Sequence, residues 1–101
     1  MTDLPTVAVV DIDGVVADVR HRLRHVQSRP KDWEAFFAEA PQDAPLAEGR
    51  SALESAVAEG LGIVYLTGRP ERCRSSTESW LAEHGFPAGP VHMREDRDRR
   101  P

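Results

Sequence analysis

The chain's strongest constraint is a continuous apolar run, Thr6-Val7-Ala8-Val9-Val10, that breaks abruptly into Asp11-Ile12-Asp13-Gly14. A short β-branched run bounded by a turn signal reads as a strand buried on both faces of a parallel sheet. A second run, Leu61-Gly62-Ile63-Val64-Tyr65-Leu66, leads into Thr67-Gly68-Arg69-Pro70. Strands of this kind need helices to cover them, so the fold class is α/β with a parallel sheet and right-handed crossovers. In such sheets the working residues lie at the carboxyl ends of the strands. Both polar clusters, Asp11–Gly14 and Thr67–Arg69, fall there.

The segments between the runs are helical in pattern. Asp18 to about Ser28 is basic, with Asp18 as a candidate N-cap. From Asp32 to Ala40, the positions of Trp33, Phe36, Phe37 and Ala40 have helical spacing and predict aromatic side chains in the core rather than a base-stacking platform. Pro41 to Pro45 reads as a loop. A helix is predicted over about Glu48 to Glu59, with Ala52, Leu53, Ala56 and Val57 on one face and Gly60 just past its end. Another is predicted from Pro70 to His84, anchored by Trp80 and Leu81 and stopped at Gly85. Val91-His92-Met93 is a candidate third strand, and Arg94 to Pro101 is almost wholly charged.

Composition excludes several classes. At 101 residues there is one small domain. A net charge of -4 gives no global sign of a nucleic-acid binder, and no stretch approaches a membrane span. The N-terminus has no basic region followed by an apolar core, so it does not read as a secretory signal. The single cysteine, Cys73, reads as a small buried residue, allows no internal disulfide and fits a reducing compartment, which points to the cytoplasm.

Asp11 and Asp13 sit two apart at a strand end. In extended chain both carboxylates would face one side, repel each other and favour a cation between them. Mg²⁺ is the natural candidate, a hard ion content with a few carboxylates, water and phosphate. A calcium loop of the EF-hand type is excluded, because its third acid and its glycine would fall on Val15 and Val16. A plain Asp-Gly turn is the bland alternative. At the second strand end, the Thr67 hydroxyl, the open Gly68 amide and the Arg69 fork are suited to phosphate oxygens, especially if they open a helix.

These two strand ends resemble the two leading motifs of the haloacid-dehalogenase-like superfamily: Asp11-Ile12-Asp13-Gly14-Val15-Val16 after an apolar strand, and Tyr65-Leu66-Thr67-Gly68-Arg69 at the end of another. Within it, the chain is most similar to the 3′-phosphatase domain of polynucleotide kinases. The residues that carry this are Ala17-Asp18, His21-Arg22-Leu23, Lys31-Asp32-Trp33-Glu34-Ala35-Phe36-Phe37, Gly68-Arg69-Pro70, and Met93-Arg94 with Arg100-Pro101. The resemblance implies a Rossmann-like fold without a large cap and a Mg²⁺-dependent phosphomonoesterase. Asp11 would attack phosphorus to form an aspartyl-phosphate. Asp13 would serve as general acid and then base. Asp11 and the Asp13 backbone carbonyl would hold Mg²⁺, while Thr67, Gly68 and Arg69 would bind the phosphoryl group.

The family also carries a later basic residue and an acidic strand that completes the metal site. The resemblance therefore implies that residues 1–101 form a single domain incomplete at its C-terminus, the N-terminal two-thirds, ending after the third strand. Residues 6–12 would then be an exposed apolar edge open to self-association. Glu95, Asp96 and Asp98 read as a solvated tail rather than metal ligands. Arg97, Arg99 and Arg100 are poor substitutes for the missing basic residue, and Lys31 lies in the wrong region. The basic run Arg20, His21, Arg22, Arg24, His25, Arg29, Lys31 reads by default as a solvated helix face. Its alternative role is contact with a phosphate backbone through Arg20, Arg22 and Arg24, which would suit a 3′-phosphorylated nucleic acid. Three functions stay open: a polynucleotide 3′-phosphatase, a phosphatase of nucleotides or sugar phosphates, and a non-catalytic phosphate-binding remnant.

Overall fold

The computed structural model describes residues 6–95; Asp96, Arg97, Asp98, Arg99 and Arg100 lie outside the described residues. Strand β1 (Val7–Asp11) opens the chain and is followed by a two-residue strand, β2 (Ala17–Asp18). A 3-10 turn at Arg20–Arg22 leads into a short helix α1 (Arg24–Gln27), then α2 (Trp33–Ala38), whose N-terminus is capped by the Asp32 side chain accepting from the Ala35 amide at 3.0 Å. After β3 (Ala44–Pro45) come α3 (Ala47–Ala58), β4 (Gly62–Pro70), α4 (Arg74–Glu83) and β5 (Val91–Arg94).

The main sheet is parallel, in the order β1-β4-β5, with Val9 beside Val64 and Asp11 beside Leu66. Both crossovers step in the same direction, so right-handed connections place α3 and α4 on the same face. Leu53 of α3 and Trp80 and Leu81 of α4 share one core with Ile12, Ile63, Tyr65 and Val91. The opposite face carries Val7, Val9 and Leu66, which are 45%, 65% and 47% exposed. The expected burial of the first strand on both faces is therefore corrected. Among the described residues only one face is covered, and β1 is an edge strand.

Local departures from the sequence reading have physical causes. The helix expected from Asp18 to Ser28 is split, because the chain first makes β2, which pairs antiparallel with β3 in a small ribbon formed partly from the expected Pro41–Pro45 loop. Asp18 still accepts the Arg20 amide at 3.1 Å, but it caps a turn rather than an α-helix. Strand β4 runs on through Pro70, so Thr67-Gly68-Arg69 lies in extended chain; a 3-10 turn at Glu71–Cys73 then leads directly into α4, whose α-helical part begins at Arg74. The aromatic residues of α2 are not core. Trp33 is 49% exposed and Phe36 and Phe37 are half-buried, packed chiefly on one another. Cys73 is half-buried rather than buried, His84 ends α4 against Trp80, and His92 is an exposed residue of β5. Among the described residues no helix is long and apolar enough to cross a membrane.

Candidate active site

The loop after β1 builds the site. Gly14 takes a positive φ of 83°, a conformation glycine adopts without penalty. The Ile12 carbonyl collects the amides of Val15, Val16 and Ala17, while the Asp13 carbonyl takes none of those bonds. Helix α3 clamps this loop: the Leu46 amide donates to the Val16 carbonyl at 2.9 Å, and Gly49 sits against the Val15 backbone, where a Cβ would lie 2.0 Å from the carbonyl oxygen.

Asp11 and Asp13 meet different surroundings. Asp11 ends β1 beside Leu66 on the open side of the sheet and is exposed. Among the described residues no hydrogen bond or ion pair engages its carboxylate. Asp13 turns instead toward Thr67, whose side chain belongs to the covered face. Its Oδ2 accepts the Thr67 hydroxyl at 2.8 Å. Its Oδ1 accepts Arg69 Nε at 3.0 Å and Nη2 at 2.9 Å, and Arg22 Nη2 at 3.0 Å. Burial alone would raise the Asp13 pKa, but Arg69, Thr67 and Arg22 together outweigh it and hold the carboxyl below its ordinary range.

The expected phosphate cradle is thus partly spoken for. Arg69 is buried, its guanidinium shared between Asp13, the Thr77 hydroxyl at 3.0 Å and Asp43 at 3.3 Å. Its backbone amide donates to Thr67 Oγ1 at 3.1 Å. Gly68 alone of the three is exposed, with open space where a side chain would project.

The basic run divides. Arg20 is exposed and forms a two-point pair with Asp18, and Arg24 is exposed and pairs with Glu39 at 2.8 Å. Arg22 contradicts both the solvated-face and the substrate-contact reading. Its side chain is 0% exposed, gripped by Asp43 and Asp13, bonded to the Phe36 carbonyl and stacked over the Phe36 ring. Spacing within a run of surface-like charges carries no mark of such burial. Asp43 also went unseen: it lies in a short Pro-flanked stretch that reads as a loop, yet its carboxylate is fully buried between Arg22 and Arg69.

For a metal, the chemistry of the donors fits modestly. The unengaged Asp11 carboxylate and the Asp13 carbonyl are hard oxygen donors of the kind Mg²⁺ takes alongside water and phosphate. The Asp13 carboxylate is committed to its cations. No group of three or more His, Cys, Asp or Glu side chains able to hold an ion occurs among the described residues. Glu95 is exposed. A cleft of about 670 Å³ opens beside the loop, between Gly14, Val15, Val19, Arg20 and the first turn of α3.

A family model described as the polynucleotide kinase PNKP phosphatase domain matches residues 5–101. No curated protein matches the chain. Among solved structures, a chain of the Pnkp1/Rnl/Hen1 RNA repair complex is similar with a TM-score of 0.77 and 26% identity, over 96% of this chain and 28% of that one. A second Pnkp1/Rnl/Hen1 structure gives 0.76 and 24%, over 97% and 30%. A tungstate-bound class C acid phosphatase from Bacillus anthracis gives 0.75 and 19%, over 97% of this chain and 44% of that one. The chain therefore spans less than half the length of each of these proteins.

Proposed function

The chain belongs to the family of polynucleotide kinase PNKP phosphatase domains, and on that premise we propose that it is a phosphomonoesterase with Asp11 as nucleophile, Asp13 as acid/base and 3′-phosphorylated nucleic-acid ends as substrate. One observation carries the reading: of two carboxylates two residues apart, Asp11 is exposed and unengaged while Asp13 is oriented by Thr67 and Arg69. A nucleophile has to be open to its target, and an acid/base has to be held in a fixed orientation.

In the first step an Asp11 carboxylate oxygen bonds to phosphorus, the ester P–O bond breaks, and the leaving alcohol oxygen takes a proton from Asp13. In the second, Asp13 takes a proton from water as that water attacks the aspartyl-phosphate. The bond to Asp11 breaks and inorganic phosphate leaves, restoring both carboxyl groups. The Gly68 amide, on an exposed glycine, would donate to a phosphoryl oxygen. Thr67 and Arg69 hold the Asp13 carboxyl in place. Mg²⁺ bound by Asp11 and the Asp13 carbonyl would supply neutralisation of phosphate charge. The cleft beside Gly14, with Arg20 at its wall, offers room for the body of a large substrate. The RNA-repair setting of the Pnkp1 structures favours a nucleic-acid end over a small phosphate ester. The lone cysteine favours a reducing, cytoplasmic setting.

The test compares a 3′-phosphorylated oligonucleotide with a 3′-mononucleotide, with Mg²⁺ and with chelator, in the unsubstituted protein and in Asp11→Asn. The expected result is Mg²⁺-dependent turnover, faster on the oligomer and absent in Asp11→Asn. Activity surviving that substitution means another group attacks. Equal rates on both esters assign the protein to small phosphate esters, and no turnover at all assigns it to phosphate binding.

A further inference from the structure

We propose that Asp43 is a positioning residue for the proton transfer assigned above to Asp13, and that it acts by holding Arg22 and Arg69 on one oxygen of the Asp13 carboxyl so that the other is left free of cations. The inference rests on the acid/base reading of Asp13.

Asp43 is built into the fold. Its amide donates to the Ala40 carbonyl at 3.0 Å, and its carbonyl accepts the Trp80 indole Nε1–H at 2.9 Å. The backbone is thereby tied to α4 through a tryptophan that is 2% exposed. The side chain is 0% exposed and all its bonds go to cations or imidazole. Oδ1 accepts Arg22 Nε at 2.8 Å and faces His21 Nε2 at 2.6 Å. Oδ2 accepts Arg22 Nη2 at 2.8 Å and Arg69 Nη2 at 3.3 Å.

The consequence falls on Asp13. A guanidinium held at two points by one carboxylate has a fixed plane. With Arg22 so held, its Nη2 also reaches Asp13 Oδ1 at 3.0 Å. Arg69, bridging from the other side, adds two more N–H bonds to the same oxygen. Among the described residues three N–H donors converge on Oδ1, while Oδ2 meets only the Thr67 hydroxyl, which can rotate between donor and acceptor. Oδ2 is therefore the Asp13 oxygen left free of cations. The two buried arginines face two aspartates, Asp13 and Asp43. Neutralising Asp43 leaves both guanidiniums leaning on Asp13 alone and frees Arg22 to turn.

The test separates positioning from structure by the leaving group. An aryl phosphate such as 4-nitrophenyl phosphate expels a stable phenolate and needs no proton, whereas a 3′-phosphorylated oligonucleotide expels an alkoxide and does. With kcat/KM, which reports transfer to Asp11, the isosteric Asp43→Asn should lower the oligonucleotide value by about 10²-fold, the size of a misplaced catalytic group, and leave the aryl value nearly unchanged. Equal losses on both esters, or no loss on either, overturn the positioning role. Absence of turnover of both esters by the unsubstituted protein refutes the phosphatase reading instead. A measurement that needs neither a folded variant nor turnover stands beside it. In the unsubstituted protein the Arg22 Nε–H, held by Asp43, should exchange with water far more slowly in NMR than that of the exposed Arg24; equal exchange removes the anchor and overturns the proposal.

Discussion

Gly49→Ala is the perturbation whose outcome depends most directly on how α3 holds the catalytic loop. Two effects oppose each other. Alanine is the better helix former, worth up to about 1 kcal/mol over glycine. Against that, a Cβ at residue 49 would lie 2.0 Å from the Val15 carbonyl oxygen and 2.8 Å from its carbon, where real contacts do not fall below 3.0 Å. Helix and loop must part by about 1 Å. Both colliding groups are backbone, so no side-chain rotation relieves the clash, and the interior is too dense to absorb it. Overpacking of this kind costs about 1–3 kcal/mol, and a backbone collision belongs at the upper end. The net expectation is a loss of about 2 kcal/mol, or roughly 8–16 °C in Tm for a domain of this size. Denaturant titration and a thermal melt followed by circular dichroism measure it. Because the Leu46 amide bonds the Val16 carbonyl, the loop that carries Asp13 should move with α3, and turnover should fall by more than the unfolded fraction explains. A Gly49→Ala protein more stable than the parent would refute the close approach and the clamp with it.

Further outcomes follow from the same site. Asp11→Asn, at an exposed and unengaged carboxylate, should change stability by no more than about 0.5 kcal/mol while removing turnover, as judged by melts alongside assays. Arg22→Met should destabilise by about 3–5 kcal/mol in urea titration, because it strips a buried carboxylate of its main partner. The Asp13 carboxyl is held below its ordinary range in the folded protein, so the unfolded chain binds its proton first on acidification. Its stabilisation is present above the ordinary carboxylate pKa and is lost as pH falls through the lower folded value. Asp13→Asn should flatten that acid limb of a stability–pH curve, and an unchanged limb would refute the shift. If Arg24 touches a nucleic-acid backbone, Arg24→Ala should reduce the log–log salt slope of oligonucleotide binding by nearly one unit; an unchanged slope removes it from the interface.

Some of this was legible residue by residue. The β-branched run at 6–10 and the apolar run at 61–66 could only be short strands, and the parallel pairing followed because helix-patterned chain separates them. Helix α3 and its stop at Gly60, with φ of 84°, were readable because amphipathic spacing and a left-handed terminus are local properties. The acidic pair and Thr67 with Arg69 could be named from position alone, since strand carboxyl ends are where such sheets do chemistry. Which groups face which was decided only by the tertiary structure. A run of arginines looks the same whether each meets water or a buried aspartate, and Arg22 is internal only because Asp43, twenty-one residues later, waits beneath it. Asp43 itself lies in a stretch without periodicity, so nothing local could set it apart. Sharing of the Asp13 oxygens among Thr67, Arg69 and Arg22 depends on separations of up to 56 residues along the chain. Hydrogen bonds act over about 3 Å, and sequence distance carries no information on that scale. Apolar pattern spoke for burial in general, but which face of β1 is covered depended on the direction of both crossovers, a property of the assembled sheet.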